Sequence, residues 1–158
     1  PKDVLVEWYD ALIANYEGPN GTLMDAMARF YTSELQDEFH PDVDPRASAD
    51  EKYNAEKMMI AAAKLHKDWG AFLVANGFTR ANFERPQDEN REGDTATVVI
   101  RSDKNVARSF SMVNEPGHGW VISKLPSPTQ YAVMVRTLVI ILVGALVLAI
   151  LARKLIFS

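Results

Sequence analysis

The chain has no cysteine and only three histidines. Disulfides, thiolate metal centres and cysteine nucleophiles are therefore excluded. A glycine-rich phosphate loop, a nucleophile elbow and any spacing that pairs two carboxylates are also missing. Clustered positive charge is absent ahead of Gln130. All 21 acidic residues lie in that part with only 14 of the 17 basic ones, a balance of −7, against +3 for the remainder. Phosphate recognition needs grouped Lys and Arg, so no nucleic-acid partner is expected. The same acid excess opposes flat adsorption of the acidic part on an anionic lipid surface.

What is present divides the chain in two. Thr137 to Ala152 (TLVIILVGALVLAILA) carries no charge, and extension back to Ala132 adds only Arg136. A bilayer core needs about 20 helical residues. Arg136 and Arg153 stand 17 positions apart, about 25 Å along a helix. Both can snorkel to opposite interfaces. Tyr131, Arg136, Arg153 and Lys154 are thus membrane-interface candidates. The pattern predicts one transmembrane helix over 131–158, with Gly144, Ala145 and Ala149 at a spacing that admits a neighbouring helix. A buried helix this apolar on every face would need a larger protein around it. Lys124 and Arg136 before the span nearly balance Arg153 and Lys154 after it. With no apolar leader ahead of Pro1, the expectation is a tail-anchored protein of the inner cell membrane, its domain in the cytoplasm.

Ahead of the span, periodicity predicts an α+β domain. Val4, Trp8, Leu12 and Tyr16 recur every four residues, the stripe of an amphipathic helix. Thr22 is the expected cap of a second helix, with Leu23, Met27, Phe30 and Tyr31 inward. A loop with Pro41 and Pro45 follows. A long helix then starts at Ser48 or Asp50, turns Met58, Met59, Ala62, Leu65, Trp69, Phe72 and Leu73 inward, and ends at Asn76-Gly77. After Gly77 the period becomes 2. Strands are predicted at Phe78 to Glu84, Thr95 to Ser102, Val106 to Asn114 and Trp120 to Lys124. The separators Asp88 to Gly93, Asp103 to Asn105 and Glu115 to Gly119 read as turns, so the strands are expected to be antiparallel with helices packed on one face. Residues 126–130, with Pro126 and Pro128, form a short stiff linker.

This order of elements resembles the NTF2-like superfamily, its small bacterial members in particular. The likeness rests on the opening Val4-Leu-Val-Glu-Trp-Tyr-Asp-Ala-Leu12, on Phe30-Tyr-Thr-Ser-Glu-Leu35, on Glu92-Gly-Asp-Thr-Ala-Thr-Val98 and on Gly119-Trp-Val-Ile122. It covers residues 1–125. It implies a curved antiparallel sheet wrapped by helices, a cone with a pocket at its open end. Superfamily members include isomerases, cyclases and non-catalytic binding modules, so the fold alone does not assign a function.

The candidate chemistry is sparse. Trp8, Tyr53, Trp69, Phe110 and Trp120 are the residues that could line such a pocket, although aromatics at these spacings more often form plain core. His40, Asp42 and Asp44 could hold a divalent ion, but two prolines make the segment a solvated loop. His66 reads as a surface or interface histidine, His118 as a solvated turn residue, and Glu7, Asp10 and Asp68 as solvent-facing acids. No catalytic residue, metal or cofactor is assigned. The expected function is a non-catalytic accessory or scaffolding subunit of an integral membrane protein complex. Two alternatives remain: an isomerase- or cyclase-type protein binding an apolar small molecule, and a homodimer that tethers through its sheet.

Overall fold

The computed structural model describes residues 1–129. The chain divides into two units, Pro1–Leu125 and Pro126–Ser158. The first is α+β. Helices α1 (Lys2–Asn15), α2 (Asn20–Met27), α3 (Ser33–Phe39), α4 (Ala49–Ala75) and α5 (Arg80–Glu84) precede strands β1 (Asp88–Glu92), β2 (Thr95–Arg101), β3 (Ala107–Glu115) and β4 (Gly119–Lys124). The strands form an open sheet in the order β1-β2-β3-β4, with every pair antiparallel. Among the described residues no helix is long and apolar enough to cross a membrane. The segment 131–158, where the sequence predicts a span, lies outside the described residues.

Strand alternation sets the inner face. Ala96, Val98 and Ile100 of β2 are buried. Val98 pairs with Phe110 and Ala96 with Met112, which pairs in turn with Ile122. The helices supply Leu5, Trp8, Leu12, Trp69, Leu73 and Phe83 to the same core. The backbone N–H of Thr32 donates to Ile122 O at 3.1 Å, so the chain after α2 lies along the outer edge of β4.

Caps explain most helix ends. Ser48 and Glu51 form a reciprocal box at the start of α4: Ser48 Oγ accepts from Glu51 N at 3.3 Å and Glu51 Oε2 accepts from Ser48 N at 2.8 Å. Gly77, at φ +67°, follows the Asn76 cap. Three expectations fail. The second helix starts at Asn20, behind Pro19, so Thr22 lies inside it rather than capping it. Phe78 to Glu84 is not a strand: Asn82 Oδ1 accepts from the Thr79 N–H at 2.7 Å and from its hydroxyl at 3.0 Å, which opens α5 and turns Phe83 inward. The first strand falls instead at Asp88–Glu92, read above as a turn. Its sequence, DENRE, has no apolar alternation because the strand sits at the sheet edge and is largely exposed.

The long helix outruns the sheet. Its 27 residues span about 40 Å, whereas the seven of β2 reach about 23 Å. Ala62, Ala63, His66, Trp69, Gly70 and Leu73 of its second half are buried, but only Ala55 of its first. Met58, expected inward, is 41% exposed for this reason.

Gly70 marks where α1's end meets α4. A Cβ there would stand 2.3 to 2.6 Å from Tyr16 Cγ, Cβ and Cδ2, the stiff root of that side chain. Gly70→Ala is therefore expected to destabilise by about 1–3 kcal/mol, despite a helix-propensity gain of about 1 kcal/mol. Urea unfolding checks the sign. Adding Gly70→Ala to Tyr16→Ala, which removes the obstruction, should cost nothing further.

Candidate functional site

The aromatic residues nominated by the sequence separate into two groups. Trp8, Trp69 and Phe110 come together, fully buried. Trp8 meets Trp69 edge-on at 5.9 Å between centroids and Phe110 at 5.3 Å, and Trp69 lies 5.6 Å from Phe110. Phe83 closes the group at 6.3 Å from Trp8. Such edge and tilted contacts fill space and add about 1 kcal/mol each beyond burial. Tyr53 is not with them: it stands on the solvent side of α4 at 65% exposure. Trp120 is half-buried, with the Arg91 guanidinium 5.5 Å over its ring. The five do not line one pocket. The interface candidates Tyr131, Arg136, Arg153 and Lys154, and the small residues Gly144, Ala145 and Ala149, lie outside the described residues.

His66 overturns its expected surface position. It is completely buried, at the centre of a polar chain. Its Nδ1 lies 2.7 Å from Ala62 O and its Nε2 lies 2.7 Å from the Tyr31 hydroxyl, which accepts from Trp8 Nε1–H at 2.8 Å. A carbonyl can only accept, so Nδ1 carries the proton and Nε2 accepts from Tyr31 O–H. Each donor thus meets one acceptor in a single direction: Trp8 to Tyr31, Tyr31 to His66, His66 to Ala62. Phe39 lies edge-on to both the Tyr31 and His66 rings at 5.1 and 5.3 Å. Burial lowers the His66 pKa below its ordinary 6.5, against the opposing pull of the Ala62 carbonyl. Burial likewise pushes the Tyr31 phenol upward. Both groups are held neutral. The sequence carried a signal for this: His66 falls on the stripe Ala62, His66, Trp69, Leu73, at i, i+4, i+7 and i+11 of the face that packs inward.

The other titratable candidates face water. Glu7 pairs with Arg29 at 3.3 Å, Asp10 with Arg80 at 3.0 Å and Asp68 with Lys64 at 2.6 Å, all exposed. Asp44 takes the Arg46 N–H on Oδ1 at 2.7 Å and the Ala47 N–H on its carbonyl at 2.8 Å, a turn-forming role. Among the described residues no three His, Asp or Glu side chains gather as a metal site. His40 and His118 are exposed.

Grooves occur on the helical side. One of about 280 Å³ lies between α2, the 41–45 loop and α4, lined by Met24, Val43, Ala55, Met59 and Ile60 with Lys52 and Glu56 beside them. A shallower one runs past Phe39, Met58, Ala62 and Leu65. Neither is lined by His66, and no buried acid faces them. They are apolar surfaces able to hold side chains of another molecule, without groups placed for acid–base work.

The class defined by these features is an α+β unit, with helices on an open four-stranded antiparallel sheet and a filled interior. No family model matches the chain, and neither does any curated protein or solved structure.

Two outcomes test the polar chain. Tyr31→Phe leaves the Trp8 N–H and His66 Nε2 buried without partners, and should cost roughly 2–5 kcal/mol in chemical unfolding. Because folding lowers the His66 pKa, the unfolded chain takes up that proton first as pH falls. Stability is then unaffected above the ordinary value and declines below 6.5. The urea midpoint of the parent should fall between about pH 7 and pH 5.5, and that decline should vanish in His66→Gln.

Proposed function

We propose that this chain is a single-pass membrane protein whose folded unit binds protein rather than performing catalysis. It serves as an accessory or scaffolding subunit of a larger integral membrane complex, of the respiratory or photosynthetic kind. One observation carries this reading. The space between helices and sheet, where a ligand pocket would form, is occupied by Trp8, Trp69, Phe83 and Phe110, and the one buried histidine has both nitrogens engaged. Interaction capacity is left to the outer surfaces, above all the apolar grooves flanking α4.

The sequence supplies the rest of the support. The uncharged run Thr137 to Ala152 fits a membrane anchor. The six residues Leu125 to Gln130 reach at most about 20 Å, so an anchored unit works close to the bilayer. Tethering raises its effective concentration for membrane neighbours, so modest grooves suffice for stable docking. The unit itself reads as an NTF2-like cone, on the strength of its leading helices and antiparallel meander.

Native membranes extracted in mild detergent, resolved on a native gel and analysed by mass spectrometry, test the reading. The chain is expected inside a large assembly at fixed stoichiometry. Migration alone or as a small homo-oligomer refutes the accessory role.

A further inference from the structure

Helix α4 turns one face away from the core along its length. Tyr53, Ile60 and Val74 are 65, 54 and 53% exposed, three of the most exposed large apolar side chains among the described residues. Spaced by seven and fourteen residues, they lie within about 60° of one another around the helix axis. Lys57, Lys64 and Lys67 interleave within about 40° of Tyr53. The acids Glu56 and Asp68 sit at the margins of the face. Lys64 reaches Asp68 at 2.6 Å, but the pair is exposed, at 73 and 47% of the two side chains, and so is weak enough to exchange for another anion.

The geometry points to this face of α4 as a contact for the headgroup layer of an anionic bilayer. The inference rests on the membrane-anchor reading above and deepens it. A tyrosine and branched aliphatic residues suit the boundary between headgroups and acyl chains. Lysines lay their stems along such a surface and extend their charge to phosphate. Each basic residue near an anionic leaflet contributes about 1 kcal/mol, within a Debye length of about 8 Å. Charges nearest the lipid therefore outweigh those on the far side of the unit. The overall −7 of the acidic part then orients the unit, turning its one basic, apolar helix face to the lipid.

The cysteine-free chain permits a direct test. Single cysteines at Ile60→Cys, Thr97→Cys and Gly144→Cys in the full chain receive a fluorophore. The labelled proteins are reconstituted in vesicles of phosphatidylcholine, with or without phosphatidylglycerol, carrying nitroxide-labelled lipid. Thr97 is an exposed β2 residue on the sheet face away from the helices, and Gly144 reports the anchor. Quenching is expected at Ile60 but not at Thr97 in the phosphatidylglycerol vesicles. It should be lost at high salt and on Lys57→Glu/Lys64→Glu/Lys67→Glu. Quenching at Gly144 without quenching at Ile60 overturns the inference and leaves the anchor standing. Absence at both overturns the two together. Equal quenching at Ile60 with and without phosphatidylglycerol overturns the anionic-lipid assignment. Rapid disulfide formation between unlabelled Ile60→Cys chains, in place of quenching, gives the face to a second copy and overturns it as well.

Discussion

Trp8 touches every layer of the folded unit. From α1 its ring reaches Trp69 of α4, Phe83 of α5 and Phe110 of β3, while its N–H is bound by Tyr31 ahead of α3. Apolar contact sets how close these elements lie, and the single hydrogen bond sets how the indole is turned. Tyr31 can accept from Trp8 only while its own proton goes to His66, and His66 can take that proton only while Nδ1 is occupied by Ala62 O. Local conformation in α4 is thereby coupled to the placement of α1. The partners stand far apart in sequence, so this centre forms only once helices and sheet have met.

A filled centre and an uncovered rim have the same origin. Trp8, Trp69, Phe83 and Phe110 consume the volume above a sheet whose strands are short. α4 is longer than that sheet, and its first half finds nothing to pack on except α2 and the loop at 41–45. Apolar side chains such as Met59 and Ile60 therefore line grooves instead of core. In a unit held near a membrane, surfaces of this kind suit contacts with lipid and protein neighbours, where methionine's flexible chain adapts to irregular shapes.

The sequence was legible wherever one face of an element is buried against the core. The stripe of Leu5, Trp8 and Leu12, the alternation in β2 and β3, and the box at Ser48 and Glu51 all follow from local rules and recur in the structure. It was illegible where burial gives no pattern. β1 has no inward apolar residue to announce it, and α5 is a single turn whose signal is a Thr–Asn pair rather than a period. His66 was misread for another reason. A polar residue on an apolar stripe looks like an interruption until its partner is known, and Tyr31 lies 35 positions away. Tyr53, nominated with the buried tryptophans on residue type alone, belongs to the helix overhang, which no local pattern reveals.

The two margins of the sheet have a further consequence. β1 presents Asp88, Glu89, Arg91 and Glu92, charges that discourage another strand from adding to it. The opposite margin is occupied by the backbone of Tyr31 and Thr32 bound to Ile122. Neither side offers a bare apolar ladder. Proteins crowded on a surface collide often and in similar orientations, conditions under which exposed strands fuse into aggregates. With one margin charged and the other sealed, this sheet can be carried at high density without recruiting its neighbours into a common fibre.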